Sequence, residues 1–270
     1  MKTLFLAAMF LVIAGLITVF LLIQLQREPT SDLSAQFYIS PDIGSIPATA
    51  VPQVAVSPDG ARIVFVLAQP GIGTRLWLRP LSSLTAQPLA GTDGAGNPFW
   101  SPDSRHIGFF AQGKLKRIDV QGGPAIVICD APVGEGGSWS ASGSIIFTPA
   151  QSGPIHIVSA AGGTSKPVTT LRTDLKEELH SYPDFLPDGK HFLYIARGDA
   201  PNHHLYVGSI ESPESRKPLD GVTRTLYAAP GYVIFNRSAT LFAQPFDPDK
   251  LIISGTRFPP KTVPSCRSTL

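Results

Sequence analysis

Charge is scarce in this chain. Only 16% of its 270 residues are Asp, Glu, Lys or Arg, and the formal net charge is +2. A nucleic-acid partner calls for a basic face or stripe, and this composition supplies none. Cysteine is scarcer still. Cys129 and Cys266 stand far apart, with no Cys-x-x-Cys unit and no metal-like spacing. They allow either one disulfide in an oxidising compartment or two unpaired thiols. Helical periodicity of useful length is missing after residue 30, which leaves strands as the building material. The stretch 173–179 has room for one helical turn and reads as an elaborated loop. No Gly-x-Ser-x-Gly elbow occurs; the nearest string, Gly136-Gly137-Ser138-Trp139-Ser140, fails at its last position. The Gly-rich run Gly91 to Asn97 lacks the Lys-Ser/Thr ending and the following helix of a phosphate loop, and reads as a loop between repeats. The six histidines, His106, His156, His180, His191, His203 and His204, are scattered. Adjacent His203 and His204 would point to opposite faces of a strand. Exposed loop or hairpin histidines are the expectation, with no metal site, no cofactor and no catalytic residue.

Proline (26) and glycine (25) are abundant and spread along the chain, as many evenly spaced turns require. The other abundance is local. In the 20 residues from Leu4 to Ile23 only Gly15 and Thr18 fall outside Ala, Val, Ile, Leu, Met and Phe. As a helix this run is roughly 30 Å long, the thickness of a bilayer core. A cleaved signal usually has a shorter apolar region and a small-x-small site, whereas Gln24-Leu25-Gln26-Arg27 follows here. The run is therefore expected to be a retained single-pass anchor. Lys2 and the terminal amine before it face Arg27 after it, a near balance that mildly favours an inside N-terminus with the rest exported.

The remainder is a repeat. Val56-Ser57-Pro58-Asp59-Gly60, Trp100-Ser101-Pro102-Asp103-Ser104, Trp139-Ser140-Ala141-Ser142-Gly143 and Phe185-Leu186-Pro187-Asp188-Gly189 align, with a weaker copy at Ala228-Ala229-Pro230-Gly231. Their fifth positions step by 44, 39, 46 and 42 residues. In the three copies with Pro-Asp, proline pre-sets φ, aspartate can bond its own backbone, and the last position accepts φ > 0. A short apolar strand follows every turn, as in Ile63-Val64-Phe65 and Ile107-Gly108-Phe109. A third strand comes about ten residues later, at Leu76-Trp77-Leu78, Leu115 to Ile118, Ile155 to Val158, Leu205-Tyr206-Val207 and Leu241-Phe242-Ala243. A fourth follows, after Gly122-Gly123 and Gly162-Gly163 in two copies. Four strands per unit of this length mark a β-propeller blade.

The expected architecture is all-β: a propeller of about five four-stranded blades at 51–257, preceded by a tail and membrane helix at 1–27 and a linker with a lone strand at 28–50. An irregular tail follows at 258–270. A propeller closes by completing one blade from both chain ends, because open edges invite aggregation. The lone strand, Gln36 to Ser40, would suit the outer strand of a last blade, and five blades then read as a truncation from six or more.

The repeat-turn residues Ser57, Pro58, Asp59, Gly60, Ser101, Pro102, Asp103, Pro187, Asp188 and Gly189 read first as structure. The aspartates have a second reading, lining a rim or binding a cation, but turn-making is favoured. Trp100, Trp139 and Phe185 read as packing between blades, with an aromatic ligand site as the alternative.

The strings Ser-Pro-Asp-Gly-x-x-Ile-x-Phe at 57–65 and Phe99-Trp100-Ser101-Pro102-Asp103-Ser104 through Phe110 resemble the TolB-type, WD-like β-propeller repeat. Arg75 to Leu81, Gly113 to Val120 and Phe185 to Tyr194 further resemble the propeller region of bacterial transmembrane serine/threonine protein kinases. The resemblance covers about residues 4–255. In that family a cytoplasmic kinase is followed by one membrane helix and a propeller outside the membrane. This chain begins at the helix and has no Gly-rich loop with Val-Ala-x-Lys, no His-Arg-Asp and no Asp-Phe-Gly, so no kinase residue carries over. The resemblance implies a non-catalytic protein- or ligand-binding sensor domain, anchored in the bacterial inner membrane through residues 4–23 and facing the periplasm. A protein or peptide partner would sit on the propeller rim. The alternative is a fragment of a kinase whose catalytic domain lies outside this chain. A TolB-like role in envelope assembly fits less well, since TolB-like proteins are soluble after export and carry an α/β domain before the propeller.

Overall fold

Each Ser-Pro-Asp-Gly turn joins two antiparallel strands, and each pair grows into a four-stranded meander. The structure, a computed structural model, describes residues 53–258 except 70, 72, 199–202, 213–214 and 238–239, and the backbone alone for 216–220. The expected membrane helix at 4–23, the lone strand at 36–40 and Cys266 lie outside these residues. Among the described residues no helix is long and apolar enough to cross a membrane.

The first blade is β1 (Val54–Val56), β2 (Arg62–Gln69), β3 (Gly73–Pro80) and β4 (Gln87–Pro88), and the second is β5 (Gly96–Trp100), β6 (His106–Ala111), β7 (Lys114–Asp119) and β8 (Ile126–Asp130). The third is β9 (Gly137–Trp139), β10 (Ser144–Phe147), β11 (His156–Ser159) and β12 (Lys166–Pro167). A 3-10 turn, Thr173–Leu175, occupies the loop before the fourth blade. That blade is β13 (Leu179–Phe185), β14 (His191–Arg197), β15 (His203–Ser209) and β16 (Arg216–Asp220). The fifth is β17 (Thr225–Ala228), β18 (Tyr232–Arg237), β19 (Thr240–Asp247) and β20 (Ile252–Ile253). Every blade is an up-and-down antiparallel sheet in chain order, with its first strand at one edge. Pairing in the fifth blade reaches one residue past the expected boundary, because Ala243 and Phe258 exchange backbone hydrogen bonds at 3.0 Å.

The blades pack face to face, which explains the uninterrupted apolar second strands. Side chains alternate across a sheet, and a sheet covered on both faces needs apolar residues at every position. On β6, Ile107 and Phe109 join Val64, Val66 and Leu76 of the first blade, while Phe110 joins Ile145 and Phe147 of the third. Ile146 and Ile155 meet Phe192 and Tyr206 between the third and fourth blades, and Leu193 and Ile195 meet Val233 and Phe235 between the fourth and fifth. Burying one such phenylalanine contributes about 2–3 kcal/mol relative to leaving it exposed. Trp100 also ties two blades by a polar contact, its Nε1–H donating to the Ala55 carbonyl at 3.0 Å.

The histidine expectation fails at His180, which is fully buried. It stands on β13 where the third and fourth blades meet, with Nε2 3.0 Å from Glu177 Oε2 and Nδ1 2.8 Å from Thr169 Oγ1. Its ring lies against Tyr194, with centroids 4.8 Å apart. Burial lowers the His180 pKa, opposed by the Glu177 carboxylate. An interface that supplies partners to both ring nitrogens lets a histidine leave water, and no local sequence signal marks it.

Candidate functional site

At the repeat turns the polar side chains bond one another. The Ser57 hydroxyl donates to Asp59 Oδ1 at 2.5 Å and accepts from the Arg62 N–H at 2.9 Å. Ser101 repeats this with Asp103 at 2.6 Å and the His106 N–H at 2.8 Å. Asp188 accepts from the Lys190 and His191 N–H groups, both at 2.9 Å, and its second oxygen lies 2.5 Å from His191 Nδ1. The Ser57 and Ser101 hydroxyls hold Asp59 and Asp103 below the usual carboxylate range. The fifth turn position is left-handed in four copies: Gly60 (φ 67°), Ser104 (φ 59°), Gly143 (φ 82°) and Gly189 (φ 65°). Successive turns are also linked, since the Asp59 N–H donates to Ser104 Oγ at 3.1 Å. Among the described residues no group of three His, Cys, Asp or Glu is placed to hold a metal ion. Cys129 is half-buried, and burial, reinforced by Asp130, pushes its thiol up to about 11, which keeps it protonated and unreactive.

The richer chemistry lies at the other end of the inner strands. Seven residues before the fifth turn position, the five copies carry Gln53, Asn97, Gly136, Tyr182 and Arg224. All five line one cavity of about 460 Å³, walled by the first strand of every blade. This is the central channel, and the five residues ring its strand-start mouth. Three of them are left-handed: Asn97 (φ 48°), Gly136 (φ 116°) and Tyr182 (φ 53°). The ladders of the second and fourth blades slip there, between Gly96 and Phe99 and between Ser181 and Asp184. Such bulges re-aim a side chain away from the regular pleat. A non-glycine residue held in this conformation costs on the order of 1–3 kcal/mol, a cost typical of functional positions.

Neighbouring blades brace the ring. The Asn97 N–H donates to Gln53 Oε1 at 2.6 Å, and Asn97 Nδ2 donates to the Gly134 carbonyl at 2.8 Å. Gly136 leaves room for Tyr182, since a β-carbon there would lie 3.4 Å from Tyr182 Cδ1. Two guanidinium groups sit by the Tyr182 ring, Arg197 at 5.0 Å and Arg224 at 5.1 Å from its centroid. Arg197 also lies 3.6 Å from the Glu135 carboxylate, whereas among the described residues Arg224 has no carboxylate partner. Among the described residues the mouth therefore carries two guanidinium groups against the Glu135 carboxylate, with Asp184 elsewhere in the lining of the same cavity.

Deeper in the wall, Asp184 accepts from the Tyr227 N–H at 2.7 Å and from the Ser138 hydroxyl at 3.4 Å. Burial outweighs these bonds and pushes its carboxyl up to about 6. Toward the turns the lining is mixed, with large apolar side chains beside Ser138 and Asp184. Pro58, Pro102 and Trp139 border a second cavity of about 350 Å³ that shares Ala55, Val56, Gly137 and Asp184 with the channel. Of the aromatic residues before the turns, Trp100 is buried between blades, Trp139 and Phe185 are half-buried, and both tryptophans line this cavity.

No protein-family model and no curated protein matches the chain. Solved structures do. TolB from Acinetobacter baumannii is 16% identical, with 78% of this chain covered, 55% of that chain covered and a TM-score of 0.59. The chain thus spans little more than half the length of that protein. A putative TolB from Agrobacterium tumefaciens is 14% identical over 68% of this chain and 73% of its own, with a TM-score of 0.56. The β-propeller domain of the Trilobed protease from Pyrococcus furiosus, which has an open velcro topology, is 16% identical over 78% of this chain and 70% of its own, at 0.54. The fold of this chain is that of the TolB-like β-propellers.

Proposed function

We propose that this chain is a non-catalytic binding domain, anchored in the bacterial inner membrane through residues 4–23 and facing the periplasm, that receives a protein or peptide partner at its central channel. The observation that carries the reading is the ring of Gln53, Asn97, Gly136, Tyr182 and Arg224. One repeat position bears five different side chains, and all of them line the same cavity. A packing position repeated five times would keep one chemistry. A recognition position has reason to vary, because it reads a ligand and not a neighbouring blade. The repeat-turn residues serve the scaffold in this reading, and the apolar run Leu4 to Ile23 supports the anchor.

The test is affinity capture from envelope extracts with the full chain in a non-ionic detergent. A discrete partner held by the wild type and lost with Tyr182→Ala is the expected result. Turnover of ATP or peptide by the purified chain would overturn it. The kinase-like strings at 75–81, 113–120 and 185–194 favour one second reading, that the chain is the sensor half of a transmembrane serine/threonine kinase. A kinase frame ending just before Met1 in the genome is its signature.

A further inference from the structure

We infer that the channel recognises a short extended peptide bearing a carboxylate, with the carboxylate at the Tyr182–Arg224 mouth and an apolar residue at the Trp139 mouth. This rests on the binding-domain reading above and names the ligand class of the same site. Three observations converge on it.

The first is charge. Arg197 is offset by Glu135, but Arg224 is exposed, lines the cavity, and among the described residues has the face of Tyr182 as its contact and no carboxylate. A guanidinium stacked on a ring keeps its N–H edges free, and those edges match the two oxygens of a carboxylate. Arg197 also has a buried Nε–H with no hydrogen-bond partner among the described residues. The second is polarity along the channel. Polar Gln53, Asn97, Tyr182 and Arg224 stand at one mouth; toward the other, Pro58, Pro102 and Trp139 add apolar contacts beside Ser138 and Asp184, and Val56 lines both cavities. Val56 is 56% exposed, a large apolar side chain without cover. Three residue steps separate the two mouths along each inner strand, roughly 10 Å at the usual strand rise. An extended tetrapeptide has the same reach. The third is the wall. The first strand of each blade is a sheet edge, and sheet edges offer backbone donors and acceptors that pair with an extended peptide. This favours a peptide over a sugar acid of the same charge.

The test is calorimetric titration of the full chain in a non-ionic detergent with three peptides. Acetyl-Leu-Ala-Ala-Glu-amide carries a side-chain carboxylate, acetyl-Leu-Ala-Ala-Ala a free terminal carboxylate, and acetyl-Leu-Ala-Ala-Gln-amide none. At least one acidic peptide is expected to bind tenfold or more tighter than the neutral one, in line with a charge-assisted hydrogen bond. Comparison of the two acidic peptides identifies the carboxylate's source. Arg224→Gln should bring the preference within twofold while Arg224→Lys keeps part of it. An unchanged melting temperature for both variants separates recognition from folding. If the neutral peptide binds as tightly as the acidic ones, or if Arg224→Gln leaves the preference intact, the carboxylate assignment falls while the channel reading stands. If no peptide binds but glucuronate does, in an Arg224-dependent way, the ligand is a sugar acid and the peptide assignment is overturned. If nothing binds, the assignment is overturned, and failure of the envelope capture as well would remove the channel reading with it.

Discussion

Asp184 sits in the channel wall where its carboxyl has little water, and its pKa rises to about 6. An unfolded aspartate titrates near 4, so between those values the folded chain holds the proton more tightly. The resulting stability is fully present below about pH 4 and is lost as pH rises through 6. Asp184→Asn keeps an acceptor for the Tyr227 N–H and removes the charge. It is expected to raise stability at pH 8 by roughly 1–3 kcal/mol and to change it little at pH 4, read by thermal melting across that range. His180 acts with the opposite sign. Burial lowers its pKa, so its contribution is lost as pH falls below 6.5. The difference between variant and wild type at each pH therefore isolates Asp184. Neither residue announces itself in the chain, because each environment is made by other blades.

At the scale of strands and turns, the Phe99 ring shows how tightly two blades interlock. A β-carbon on Gly108 would lie 2.3 Å from Phe99 Cζ, and one on Gly137 of the next blade 2.8 Å from Phe99 Cε1. The ring is held between two glycines, one in its own blade and one in the next. Gly108→Ala is expected to cost about 1–3 kcal/mol by urea unfolding, the usual range for overpacking. Adding Phe99→Leu should recover part of that loss, a non-additivity that marks direct contact. The strands and turns themselves were legible in the repeat. Ser-Pro-Asp-Gly chemistry is satisfied within five residues, so its hydrogen bonds do not wait for the fold. The bulges at Asn97 and Tyr182 were not legible, since they arise where an inner strand must both pair with its neighbour and reach the channel.

Over the whole molecule, the channel separates two kinds of recognition by its length. Trp139→Ala removes apolar surface at the turn mouth and leaves Arg224 in place. It should weaken the binding of all three peptides by a similar factor, with the acidic preference unchanged, in the same titrations. Loss of the preference would mean that the two mouths are not independent. The alignment of repeats held a signal for the ring, in the column seven residues before the fifth turn position, where Gln, Asn, Gly, Tyr and Arg replace one another. Nothing in the chain says that this column converges on one cavity; only the packing of successive blades brings the five positions to the same lining. The sequence by itself determined the blades, because turn chemistry and alternating apolar strands act over a few residues. The tertiary structure alone decided the site: Arg197 meets the Tyr182 ring across two strands of the fourth blade, and Arg224, just before β17, reaches that ring only once the fourth and fifth blades pack together.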